Sequence, residues 1–167
     1  MGDRGKPVIK IPPTKFGLAL EVIGLVVLLL MWGFVAYYYP NLPVRIPTHF
    51  GADGQPDGFG HKSTLWQLAV GATVLYGFMI WASRYPHCGN YPVKVTEENA
   101  ERLYRLCASL MREMGLVCNV VCAWIVIATC LVATNQMNGL GVWFLPYVLI
   151  LMSVTTIYYI ARMSMVR

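Results

Sequence analysis

Two histidines and two aspartates stand at intervals of four: His49, Asp53, Asp57 and His61. Imidazole and carboxylate ligands in that mixture suit a divalent cation such as Zn2+. On a helix the four would share a face, but Gly51, Gly54, Gly58 and Gly60 lie among them and forbid the helix. Only a folded loop would converge them. Calcium fits less well, because Gln55 and Thr64 stand where an EF-hand loop starting at Asp53 needs acidic ligands. The plainer reading is structural: Asp53-Gly54 and Pro56-Asp57-Gly58 are two successive turn signals, with the histidines bonding or capping the aspartates. No cofactor is therefore required. A divalent metal on His49, Asp53, Asp57 and His61 is the one addition this loop would accommodate.

The surrounding residues, Pro40 to Thr64, are equally specific. Pro43 and Pro47 push Leu42 and Ile46 toward extended backbone, so Val44 to Phe50 reads as a strand. Arg45, His49, Phe50, Asp53, Asp57 and Lys62 form the candidate ligand-binding set. Their charges cancel while the histidines are neutral, and the loop turns positive as they protonate.

A second candidate lies in apolar sequence. Glu21 is the only acid within a membrane-length stretch, so it needs a partner or a proton. Arg84 and Asn119 are the polar groups expected at similar depth, and a structural tie is favoured over a proton relay. Cys118 and Cys122, four apart, read as small packing residues rather than half of a zinc site. No Ser-His-Asp order, nucleotide loop or H-E-x-x-H pattern occurs, which weighs against an enzyme.

The elements that carry these residues follow from composition. Of 167 residues, 57% are hydrophobic and 13% charged, with mean hydropathy +0.54. A soluble domain carries about a quarter charged residues. Four stretches, 16–39, 65–83, 114–133 and 141–160, are long enough for the ~20 residues that a bilayer-spanning helix needs. The first is too long for a signal-peptide core and ends in Tyr37, Tyr38, Tyr39 and Pro40, so a retained helix is expected. The chain reads as a single membrane domain, 1–167, an all-α four-helix bundle with an ordered external loop 40–64 and a cytoplasmic loop 84–113.

Basic residues set the orientation. Arg4, Lys6, Lys10 and Lys15 precede the first span, Arg84, Lys94, Arg102, Arg105 and Arg112 follow the second, and Arg162 and Arg167 end the chain. Only Arg45 and Lys62 fall in loop 40–64, and 134–140 has none. The positive-inside rule then places both termini in the cytoplasm. The net charge of +5 flanks apolar blocks and meets lipid headgroups, which leaves nucleic acid without a binding stripe.

Within the cytoplasmic loop, Thr96 reads as an N-cap with Glu97 and Glu98 in the first turn. Leu103, Leu106, Cys107, Leu110, Met111 and Met114 then form one apolar stripe. An amphipathic helix 96–114 is expected to run along the inner interface or pack on the bundle, with Gly115 as a bend before the third span. It reads first as an interfacial structural helix and second as a docking site for a cytosolic protein.

Two runs carry a resemblance. Leu42-Pro-x-x-Ile46-Pro-Thr-His-Phe50 followed by Gly54-x-Pro-Asp-Gly58-x-Gly60-x-Lys62 resembles a bacterial membrane domain of unknown function. That domain is shared with the N-terminal part of SdpI-type immunity proteins. Asn90 to Tyr104 looks like the cytoplasmic loop of its short four-helix members. His61 departs from the small polar residue expected before the lysine. The resemblance implies a multi-pass protein of the bacterial cytoplasmic membrane that senses a peptide or envelope component, or confers immunity to one. A small ion-coupled transporter or membrane metalloenzyme, using Glu21 or the loop His/Asp set, is the alternative. Ligand and oligomeric state are not legible in the residues.

Overall fold

A computed structural model describes residues 5–166. Arg4 and Arg167, counted in the charge balance, lie outside them. The chain forms α1 (Lys15–Tyr38), a two-stranded hairpin of β1 (Arg45–Phe50) and β2 (Pro56–His61), then α2 (Thr64–Arg84), α3 (Ala100–Ala133) and α4 (Phe144–Ser164). All four helices are long and apolar enough to cross a membrane, so this is a multi-pass membrane protein. The hairpin and the 134–143 connection share one end of the bundle. The 85–99 segment, residues 5–14 and the end of α4 share the other.

Local chemistry sets most boundaries. Thr14 caps α1, its Oγ1 accepting the Gly17 N–H at 3.0 Å. Pro40 sits in a 3-10 turn, Tyr39–Asn41, that closes α1. The fourth helix starts at Phe144 rather than at residue 141, because Gly141 has φ +89 and breaks the run.

The third helix differs most from expectation. The apolar stripe and the third span are one 34-residue helix that continues through Gly115 without a break. The missing side chain there serves packing instead: a Cβ on Gly115 would lie 3.0 Å from Met79 Cβ of α2. The start also moves, from Thr96 to Ala100. Thr96 and Asn99 bond each other reciprocally, Thr96 N–H to Asn99 Oδ1 at 2.8 Å and Asn99 N–H to Thr96 Oγ1 at 3.4 Å. That local exchange holds the four residues as a turn ahead of the helix.

Two apolar clusters result. Met31, Val35, Leu42, Ile46, Leu65 and Val126 join α1, the hairpin, α2 and α3 near the hairpin end. At the other end Leu103, Tyr104 and Leu110 of α3 pack with Tyr159 and Met163 of α4, and with Ile9 and Ile11 of the N-terminal segment. Of the two placements expected for the 103–114 stripe, it takes the one packed on protein. Helix α4 leans on α3 and buries only Tyr159 and Met163 of its own side chains.

Candidate functional site

The hairpin is built by the first of the two turn signals alone. Gly51 N–H donates to Gln55 O at 2.8 Å, and Gly54 N–H to Gly51 O at 2.9 Å. Asp53 Oδ1 accepts the Gln55 N–H at 3.0 Å, and Gly54 takes φ +75. Asp53-Gly54 is therefore the turn, whereas Pro56-Asp57-Gly58 opens β2 rather than forming a second one. Proline is admissible at a strand's first residue, where it displaces no ladder bond.

Pairing is antiparallel, with Arg45 opposite His61, Ile46 opposite Gly60 and Pro47 opposite Phe59, then irregular as His49 meets Gly58 and Phe50 meets Pro56. The irregularity aims His49 at Asp57: Nδ1 lies 2.5 Å from Oδ1, with the two side chains 72% and 55% exposed. The Asp53 and Asp57 carboxylates crowd around Gly51, where a Cβ would stand 2.9 Å from Asp53 Oδ1 and 3.3 Å from Asp57 Oδ2. Three of the four proposed metal ligands thus gather at the tip. His61 does not join them. It sits at the far end of β2 with Nδ1 2.9 Å from Ser63 Oγ. Among the described residues no three His, Cys, Asp or Glu are disposed to hold one ion.

The remaining candidates divide. Arg45 is exposed and Phe50 half-buried. Lys62 works inside the fold: Nζ donates to Tyr39 O at 3.1 Å and Leu42 O at 3.2 Å, and lies 4.8 Å from the Tyr39 ring centroid. It bonds the carbonyls at the two ends of the 3-10 turn that follows α1 and pins the hairpin base.

The hairpin is anchored at both extremes. Ile46 is buried between the strands and the helices at its base. At the tip, Leu140 N–H donates to Gly54 O at 2.7 Å, tying the turn to the 134–143 connection. The two backbones approach so closely that a Cβ on Gly54 would fall 2.5 Å from Gly141 O.

The buried polar group lies toward the opposite end. Glu21 Oε2 accepts from Arg84 Nη2 at 2.6 Å and Oε1 from Arg112 Nε at 2.7 Å. Arg112 is the more buried partner, its side chain 5% exposed against 38% for Arg84. Asn119 does not reach Glu21; its Nδ2 donates to Gly24 O at 2.7 Å. Tyr76 Oη donates to Glu21 O at 2.7 Å, and its ring lies so close that a Gly24 Cβ would be 2.4 Å from Tyr76 Oη. Arg112 Nη2 and Asn119 Oδ1 are buried with no hydrogen-bond partner among the described residues.

Sequence reasoning missed Arg112 by counting it only as one of the basic residues of the cytoplasmic loop 84–113. A signal was present. Ala108, Arg112, Gly115, Asn119 and Ala123 recur at helical spacing as a second buried seam on α3. Small residues in that seam let α1 and α2 come close, and the two polar ones bond what they meet.

Comparison with known proteins adds three findings. No solved structure matches the chain. An uncharacterized protein of Archaeoglobus fulgidus is 43% identical over 89 residues, covering 48% of this chain and 49% of its own, so the match spans about half of each. Residues 26–73 match the family model described as a domain of unknown function, DUF1648, a stretch comprising the end of α1, the whole hairpin and the start of α2.

Proposed function

We propose that this is a membrane-embedded binding or sensing protein that recognises a peptide or envelope component through the hairpin, on the outer side of the membrane. The observation that carries this reading is the mounting of the hairpin. It is tied at its base through Ile46 and Lys62 and at its tip through Gly54, while His49, Asp57, Arg45 and Phe59 remain exposed. A connector needs neither anchor, whereas a recognition surface gains affinity from being held in shape beforehand. The resemblance to SdpI-type immunity proteins supports a peptide as ligand, and the basic residues gathered at the opposite end support an external hairpin. The transporter alternative is the weaker, since Arg84 and Arg112 each bond one oxygen of Glu21, the one acid expected within a span, which favours a structural tie over a proton relay.

The test is a photo-crosslinking residue placed at Gln55 in intact cells. A discrete peptide or envelope adduct is expected, and it should disappear when His49→Ala and Asp57→Ala are combined. A cysteine at Gln55 should react with an impermeant maleimide under conditions that leave Cys88 unlabelled. Labelling of Cys88 alone, or adducts indifferent to the double replacement, would overturn the reading.

A further inference from the structure

We infer that the free edge of β2 accepts an extended peptide as a third strand, its backbone bonding to Phe59 and His61. This rests on the peptide-recognition reading and specifies how the peptide is held. The two outer edges of the hairpin are not equivalent. Lys62 N–H donates to Val44 O at 2.9 Å, which makes that pair a bonded one. Alternation along an antiparallel ladder then makes Ile46 and Gly60 the next bonded pair, and leaves Arg45–His61 and Pro47–Phe59 as non-bonded pairs. Residues of non-bonded pairs turn their N–H and C=O away from the partner strand. On β1 the outward residues include Pro47, which has no N–H to offer, and the strand is packed against α3. That edge is blunted in the usual way, by proline and by cover.

On β2 the outward residues are Phe59 and His61, and neither proline nor lysine guards them. The His61 carbonyl is taken by Thr64 Oγ1 at 2.9 Å. By that alternation the Phe59 N–H and C=O and the His61 N–H point away from β1, and outside the ladder the two N–H groups donate to nothing and the Phe59 C=O accepts from nothing among the described residues. Donor, acceptor and donor at strand spacing match an extended backbone and little else. Side chains would add selectivity. Phe59 is 52% exposed between exposed Asp57 and His61, so a strand laid on this edge would set an apolar residue against the ring with polar neighbours on either side.

The test uses the full chain in lipid nanodiscs and a blocked hexapeptide of alternating threonine and leucine. Two isomers of the probe are N-methylated at alternate residues, one on each edge. At saturating peptide, amide exchange at Phe59 and His61 should slow roughly tenfold, while that of Ile46 and Gly60, already in the ladder, stays unchanged. One N-methyl isomer should protect and the other should not. Phe59→Pro, which removes an outward donor without breaking a ladder bond, should abolish binding; Phe59→Ala should keep the His61 protection at reduced affinity. Equal protection by both isomers, or unimpaired binding by Phe59→Pro, would sink the edge. Protection without peptide that grows with protein concentration would overturn it in favour of a second copy. Peptide binding that survives Phe59→Pro yet fails in the His49/Asp57 double variant would reject the edge alone and leave peptide recognition standing.

Discussion

The two ends of the bundle hold ionisable groups under opposite rules. Near the N-terminal end, the Glu21 carboxylate is held by two guanidiniums while Tyr76 bonds the backbone carbonyl of the same residue, and the carboxylate side chain is only 15% exposed. At the hairpin, a histidine and an aspartate touch each other while most of both side chains stays exposed. An exposed pair of this kind contributes ~0–1 kcal/mol to stability, whereas removing one partner of a buried pair costs about 3–5 kcal/mol. The buried group therefore serves the fold. The exposed pair contributes little to it, which leaves its chemistry free for a ligand.

The largest effect expected from this contrast is that of Arg112→Ala. It strips Glu21 of its buried partner and should lower unfolding stability by about 3–5 kcal/mol, read by denaturant titration in detergent. Arg84→Ala should cost visibly less, because that partner is more exposed. Equal losses from the two would erase the distinction between deep and peripheral partners. Next comes Gly24→Ala, whose added methyl meets the Tyr76 ring and should cost roughly 1–3 kcal/mol. Combining it with Tyr76→Leu should recover part of that loss, and the absence of any recovery would mean the clash lies elsewhere.

Lys62→Met tests the boundary between the two regions. Losing two carbonyl bonds and the contact with Tyr39 should cost about 1–2 kcal/mol and speed amide exchange through the hairpin base. Unchanged exchange would show that the anchor at Ile46 suffices. The smallest effect is expected at the tip. His49→Ala with Asp57→Ala should alter global stability by no more than about 0.5 kcal/mol, while removing the crosslinked adduct. A loss comparable to that of Arg112→Ala would make the hairpin pair structural and abolish the contrast.

Four spans followed from apolar length alone, since a bilayer sets the helix length and charges mark the ends. Glu21 was readable as needing a partner, and Arg84 was within reach of its depth. The Asp53-Gly54 turn was legible too, because glycine and aspartate declare their backbone preferences locally. What those signals lack is range. Pro56-Asp57-Gly58 has turn chemistry but lies in a strand, because the closure between Gly51 and Gln55 had already reversed the chain. Arg112 belongs by sequence to a basic loop, and only the approach of α1, across from Gly17 and Glu21, buries it.

The sequence by itself determined the membrane-spanning class, the helices and the presence of a shaped segment between the first two, because hydropathy and turn preference act within a few residues. The tertiary structure alone decided which charges are buried. It also decided that His61 stands apart from His49, that Lys62 is spent on backbone carbonyls, and that one hairpin edge is blocked while the other is open. Those outcomes depend on register and on helix approach. Both are settled between segments far apart in the chain, where no local preference reaches.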